Sequence, residues 1–165
     1  MGIRIYGSNK KLAKEDLRLA CHIMLAHLLS QRMLKNIHIA IHQSYNLHLS
    51  KMPVHAFIFV RDLKYPPRKF TIWLDTKQGK RQQLISIAHE LTHVKQHAIG
   101  EARYLKNGLV RWKDRHCQDT MSFFAPWEID ATGHEGALYD AYRQAIKPLR
   151  GRRGTARVRP SRRVP

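Results

Sequence analysis

Five consecutive residues of this 165-residue chain, His89-Glu90-Leu91-Thr92-His93, have the types and the spacing that metal-assisted hydrolysis requires. Residues four apart on an α-helix lie about 5–6 Å apart at Cβ, so both imidazoles reach one ion at the usual ~2.0–2.1 Å Zn–N distance. Glu90, one position along, is then placed to orient and deprotonate a metal-bound water rather than to ligate the ion. The chain has eleven His, and His38/His42 and His93/His97 repeat the four-residue spacing. The carboxylate at the second position therefore singles out the pair His89 and His93. His97 lies about 12 Å along a helix axis from His89, too far to share a small ion with it, and is expected to be a polar residue at the helix end.

A third ligand must come from elsewhere, because no further His follows at the spacing of the three-His zinc proteases. The segment Pro126-Trp127-Glu128-Ile129-Asp130-Ala131 supplies the best candidate. Pro suits the first turn of a helix and acids there complement its dipole. On that helix Glu128, Ala131, Glu135, Leu138 and Tyr142 share one side, so Glu128 is expected to point at the first helix across small Ala131. Asp130, rotated by about 200° from Glu128, is expected to face away. Glu135 is the fallback ligand, or a group that holds a ligand His ring.

The run His89-Glu90-Leu91-Thr92-His93-Val94-Lys95-Gln96, joined to Pro126-Trp127-Glu128-Ile129-Asp130-Ala131, resembles the gluzincin-type zinc metallopeptidases. More narrowly, it is similar to small phage-encoded members with the pattern HExxHxxQ followed by PWExEA. The resemblance is close over residues 80 to 146 and loose over the strands before them, and Asp130 stands where the pattern has a second Glu. It implies a compact zincin-like fold in which His89, His93 and Glu128 hold Zn²⁺. It also implies hydrolysis of peptide bonds by a metal-activated water, with Glu90 as base and then as proton donor to the leaving amine. A further electrophile for the tetrahedral oxyanion is expected, and Tyr139, His134 and His116 all remain open for that role. The reaction class follows from the resemblance more than any substrate does.

These side chains need elements to position them. Arg81 through Ile99 has neither Pro nor Gly, Leu84, Ile87, Ala88, Leu91, Val94 and Ala98 recur at helical spacing, and Gly100 is placed as a stop. Upstream, Leu12 to Lys35 reads as one long helix with Ser8 or Asn9 near its start. Ile37–Ile41, Val54–Val60 and Phe70–Leu74 read as three strands separated by turn-prone Pro residues. An edge strand of such a sheet would line the cleft and take an extended peptide through backbone hydrogen bonds. Asn107-Gly108 signals a hairpin between Ala102–Leu105 and Leu109–Trp112. Lys113 to Ala125 then reads as a loop able to cover the cleft, with Phe123 and Phe124 expected to anchor it in the core. The fold class expected is α+β: an N-terminal helix, a three-stranded sheet, the HExxH helix, a β-hairpin and a C-terminal ligand helix. Residues 1–146 form the one zincin-like domain and 147–165 a basic flexible tail.

Charge is the other large feature. Thirty Lys and Arg face 12 acids, a formal charge of +18, which implies a long-range, salt-sensitive attraction to polyanions. Eight of these cations and no acid lie from Lys147 on; with them set aside, 22 cations still face the 12 acids. Nucleic acid, or virion proteins packed around it, are therefore expected partners beside a peptide or protein substrate, and a basic structural virion component is the alternative function. No apolar run is long enough to suggest a membrane, and Met1 to Lys11 has no apolar core of a signal peptide. Cys21 and Cys117 read as two thiols, neither disulfide-linked nor ligating. A cytoplasmic location fits, with virion association added by the resemblance.

Overall fold

The computed structural model describes residues 1–49, 52–62, 64–118 and 123–153, and the fold is α+β in a single small domain. In chain order the elements are β1 (Gly2–Tyr6), α1 (Lys14–Leu28), α2 (Gln31–Leu34), β2 (His38–Ser44), β3 (His48–Leu49), β4 (Met52–Pro53) and β5 (Ala56–Val60). There follow β6 (Lys69–Asp75), α3 (Lys80–Ile99), β7 (Ala102–Tyr104), β8 (Leu109–Trp112), β9 (Arg115–Gln118) and α4 (Pro126–Arg153).

The main sheet has four strands in the order β1-β2-β6-β5, one more than the sequence suggested. The strands β1, β2 and β6 run parallel and β5 runs antiparallel at one edge. The additional strand is β1, whose Ile3 and Ile5 pair with Ile39 and Ile41 of β2. Period-two alternation sends Ile5, Ile39, Ile41, Phe70, Ile72 and Leu74 to one face, where they join Leu17, Met24 and Leu25 of α1, Ile87, Leu91 and Val94 of α3, and Leu138 and Tyr142 of α4. A satellite cluster of Ala102, Val110, Trp112, Ala125 and Trp127 fixes the β7-β8-β9 sheet beneath the start of α4.

The long helix expected over Leu12–Lys35 is broken. Leu29 and Ser30 are extended, and the Ser30 hydroxyl accepts from Met33 N to start α2 afresh. A side-chain oxygen that caps a helix start competes with continuation of the preceding turn. Asn9 does precede α1, but its carboxamide oxygen accepts from Lys11 N and Leu12 N, and the helix begins later, at Lys14. The Asn107-Gly108 hairpin is present as β7 and β8, antiparallel. Part of the expected loop is instead a third strand, β9, paired to β8. Phe123 and Phe124 are not in the core; they are 90% and 85% exposed.

Helix α3 ends on Gly100 at φ +85°, a left-handed conformation that glycine adopts without the steric cost a side chain brings. Almost its whole circumference is buried, polar residues included, because the sheet, α1 and α4 surround it. Helix α4 runs antiparallel to it and continues seven residues past Ile146, carrying Pro148 within its last turns, so the tail expected from Lys147 begins as helix. The rest of that tail, 154–165, and the loop residues 119–122 lie outside the described residues. No helix among the described residues is long and apolar enough to cross a membrane. Both Cys are free thiols, and burial pushes the Cys21 thiol up to about 12.

Candidate metal centre

Burial on all sides forces the polar residues of α3 to find partners, and those partners build the site. His89 and His93 lie one turn apart with ring centroids 4.8 Å apart and planes at 81°. Glu128, in the first turn of α4, faces both. His89 Nε2 is 3.0 Å from one Glu128 carboxylate oxygen and His93 Nε2 is 3.4 Å from the other. The two Nε2 atoms are 3.1 Å apart. Four ligands placed tetrahedrally at ~2.0–2.1 Å from a zinc ion stand about 3.3 Å from one another, so this triangle has the size of one face of such a site.

The protonation pattern of the rings follows from their other contacts. Gln96 Nε2 donates to Trp127 O and to Asp130 Oδ2, both at 2.9 Å, so its Oε1 is the acceptor facing His93 Nδ1 at 2.8 Å. His93 must therefore carry its proton on Nδ1. A Glu135 carboxylate oxygen lies 3.2 Å from His89 Nδ1 and only accepts, so that nitrogen is protonated too. With the Nδ1 protons held in this way, the nitrogen on which each ring gives up a proton to a metal is Nε2, the one that faces Glu128, as outer hydrogen bonds arrange in metal-ligating His. Among the described residues this is the group of His, Cys, Asp and Glu side chains with metal-binding spacing.

Electrostatics agree with a site built for positive charge. Burial works against charge on all three groups, yet mutual hydrogen bonding wins: His93 is raised to about 9 and His89 is raised, both chiefly by Glu128, while Glu128 is held down at about 2. Glu90 is buried beside them, and loss of water raises its carboxyl above the ordinary range despite the two His nearby. A carboxyl tuned upward in this way suits proton transfer near neutral pH.

Of the residues singled out from sequence, His89, His93, Glu128 and Glu90 come together, and Glu135 holds the His89 ring. Asp130 corrects the expectation that it faces away: it accepts from Gln96 and lies 4.0 Å from Lys95 Nζ. Tyr139 is not brought to the centre. It lies eleven residues beyond Glu128, about 16 Å along α4, between the guanidinium groups of Arg81 and Arg143. His134 is bonded through Nδ1 to Asp130 O at 2.7 Å and borders a cavity with His27, Lys95 and Leu138, on a different flank of α4. His116 is exposed on β9. Gln96 is the functional residue that spacing alone did not assign, although its place three residues after His93 puts both on one helical face.

His97 is no ligand. It is buried, its Nδ1 lies 3.1 Å from Ala102 O, and its ring stacks on Tyr104. Burial, reinforced by His93, lowers it to about 4. The unfolded chain protonates this ring near pH 6.5, so the unfolded state binds more protons between pH 6.5 and 4. Its stabilising contribution is complete above pH 6.5 and is lost as the pH falls toward 4, about 3 kcal/mol at most. Urea midpoints at pH 7 and pH 4.5 should fall further for the wild type than for His97→Phe, and equal losses would contradict this assignment.

Scans of the chain against protein-family models, curated proteins and solved structures returned no match, so the centre is interpreted from its own geometry.

Proposed function

We propose that this protein is a zinc-dependent metallopeptidase with a compact zincin-like fold of the gluzincin type. The observation that carries the reading is the convergence of His89 Nε2, His93 Nε2 and the Glu128 carboxylate within 3.0–3.4 Å, with Glu90 buried alongside. Three protein ligands of this His₂Glu composition leave a fourth position open, as hydrolytic rather than structural zinc sites do. Zinc held there supplies a Lewis acid that polarises the scissile carbonyl and lowers the pKa of water to about 7. Glu90 takes the proton of the attacking water and returns it to the leaving nitrogen, so the residue ends the cycle as it began. Gln96 and Glu135 keep the two rings in one tautomer throughout. Strand β5, paired only with β6 among the described residues, offers an edge to which an extended peptide can add.

The formal charge of +18 favours a second role as a basic, nucleic-acid-associated component, of a phage virion on the resemblance drawn above. A raised, buried Glu90 argues against that as the sole role, because a metal that only holds structure needs no base.

The test is metal content. The purified chain should retain about one zinc, His93→Ala should lose it, and chelation should lower the thermal midpoint and abolish any peptide hydrolysis. A folded wild-type chain that takes up no zinc on titration would refute the reading.

A further inference from the structure

The residues of the main sheet that do not enter the core stand on its other face, and they form an ordered surface. Register places Tyr6, His42, Trp73 and Phe57 directly opposite one another, one from each strand. Their rings stack in sequence: Tyr6 on His42 at 4.8 Å, His42 on Trp73 at 4.6 Å and Trp73 on Phe57 at 6.3 Å, with planes within 20°. Phe59 meets Phe57 edge-on at 5.2 Å. Both ends of this array are open to solvent, Tyr6 at 44% and Phe59 at 48% exposure. The next row along the strands is low, with Ala40 and Thr71 between Arg4 and Phe59. Beyond it lie His38 and Lys69, and Arg61, whose Nε donates to Thr71 Oγ1. Arg4, His38, Arg61 and Lys69 are all exposed. The acid at these alternating positions, Asp75, is buried and accepts from the backbone N–H groups of Asn46 and Lys77.

We propose that this face of the sheet is a binding platform for single-stranded nucleic acid. Aromatic rings flanked by cations, with Asp75 buried and the neighbouring Asp62 taken up by the backbone N–H groups of Arg68 and Lys69, match the two chemistries of an unpaired strand: bases that stack and phosphates that need positive charge. Charge complementarity selects this occupant over a second copy of the chain, which would bring the same cations against themselves. Paired bases in a duplex are already stacked, and a broad sheet does not enter its grooves, so the aromatic row adds nothing to duplex binding. The platform lies across the sheet from the helices that build the metal centre and does not depend on the peptidase reading.

The experiment uses the full chain and a fluorescein-labelled twelve-residue oligothymidylate, with a duplex of equal length as comparison, by anisotropy over a range of salt. Binding should favour the single strand and quench tryptophan fluorescence. Tyr6→Ser, at an exposed position and neutral in charge, and Trp73→Leu should each weaken it roughly 5- to 100-fold, the loss of one stacked base. Arg4→Gln and Lys69→Gln should each reduce the salt slope by about one, while Lys106→Gln, exposed in the β7–β8 turn, serves as the charge-matched control. Thermal midpoints of the variants separate loss of the surface from loss of the fold. Equal affinity for duplex and single strand, with Tyr6→Ser and Trp73→Leu both binding as the wild type does, would overturn the proposal in favour of charge alone. A wild-type dimer that Tyr6→Ser makes monomeric, without change in oligonucleotide affinity, would overturn it in favour of self-association.

Discussion

Glu90→Gln is expected to leave zinc content at about one per chain and to lower peptide hydrolysis about 10²–10⁴-fold, the usual loss on removing a positioned general base. The separation of the two readouts comes from geometry. Zinc content depends on the three converging ligand atoms of His89, His93 and Glu128, and Glu90 is not among them. Gln has nearly the shape of Glu, so the packing around a residue only 6% exposed is preserved. It also removes a carboxyl whose ionisation burial opposes, so the fold should be no less stable than the wild type. Paired zinc analysis, thermal midpoints and turnover of an unstructured protein substrate measure all three quantities. A variant that keeps wild-type turnover would remove Glu90 from the chemistry, whereas one that loses zinc would make it part of the metal shell.

The centre was legible in the sequence because it depends on helical spacing. Two His and one Glu within a single turn, and Glu128 one turn before small, fully buried Ala131, need only the 3.6-residue period to be placed. Gly100 marked the end of α3 because its left-handed φ is a local requirement. What stayed hidden depended on partners distant in sequence. Strand β1 has only Ile3 and Ile5 as its apolar face, and it becomes a strand by pairing with β2 across the whole of α1. Strand β9 likewise forms against β8, its Cys117 half-buried on the satellite core. Asp130 is misplaced by a rotation of about 200° from Glu128 because that rotation treats the side facing His89 as the whole of the contact with α3. Helix α3 runs antiparallel, and two turns further along it Gln96 and Lys95 reach the flank of α4 that carries Asp130. The exposure of Phe123 and Phe124 contradicts the general preference of aromatics for the interior, and hydrophobicity alone carried no signal of it.

Gln96 joins the two halves of the centre, and its replacement should separate metal affinity from fold stability. One fully buried carboxamide accepts from the His93 ring and donates to both Trp127 O and Asp130 Oδ2. Gln96→Leu leaves a ring N–H, a backbone carbonyl and a carboxylate without this partner in a buried region. At about 1–3 kcal/mol for each of the ring N–H and the carbonyl, with Asp130 still partly exposed and near Lys95, the variant should lose roughly 2–6 kcal/mol of stability. It should also bind zinc 10–100-fold more weakly, because nothing then holds His93 with Nε2 bare. Gln96→Glu divides these effects. A carboxylate still accepts from His93 Nδ1, and more strongly, so zinc affinity should stay near the wild-type value. The same carboxylate has no N–H for Trp127 O and meets Asp130 with like charge, so the stability loss should persist at neutral pH. Urea unfolding of the metal-free variants and zinc titration with a competing chelator give the two quantities independently. If both variants lost zinc affinity in proportion to stability, Gln96 would act only as a strut between α3 and α4, and the orientation of His93 would have to come from the packing of its ring.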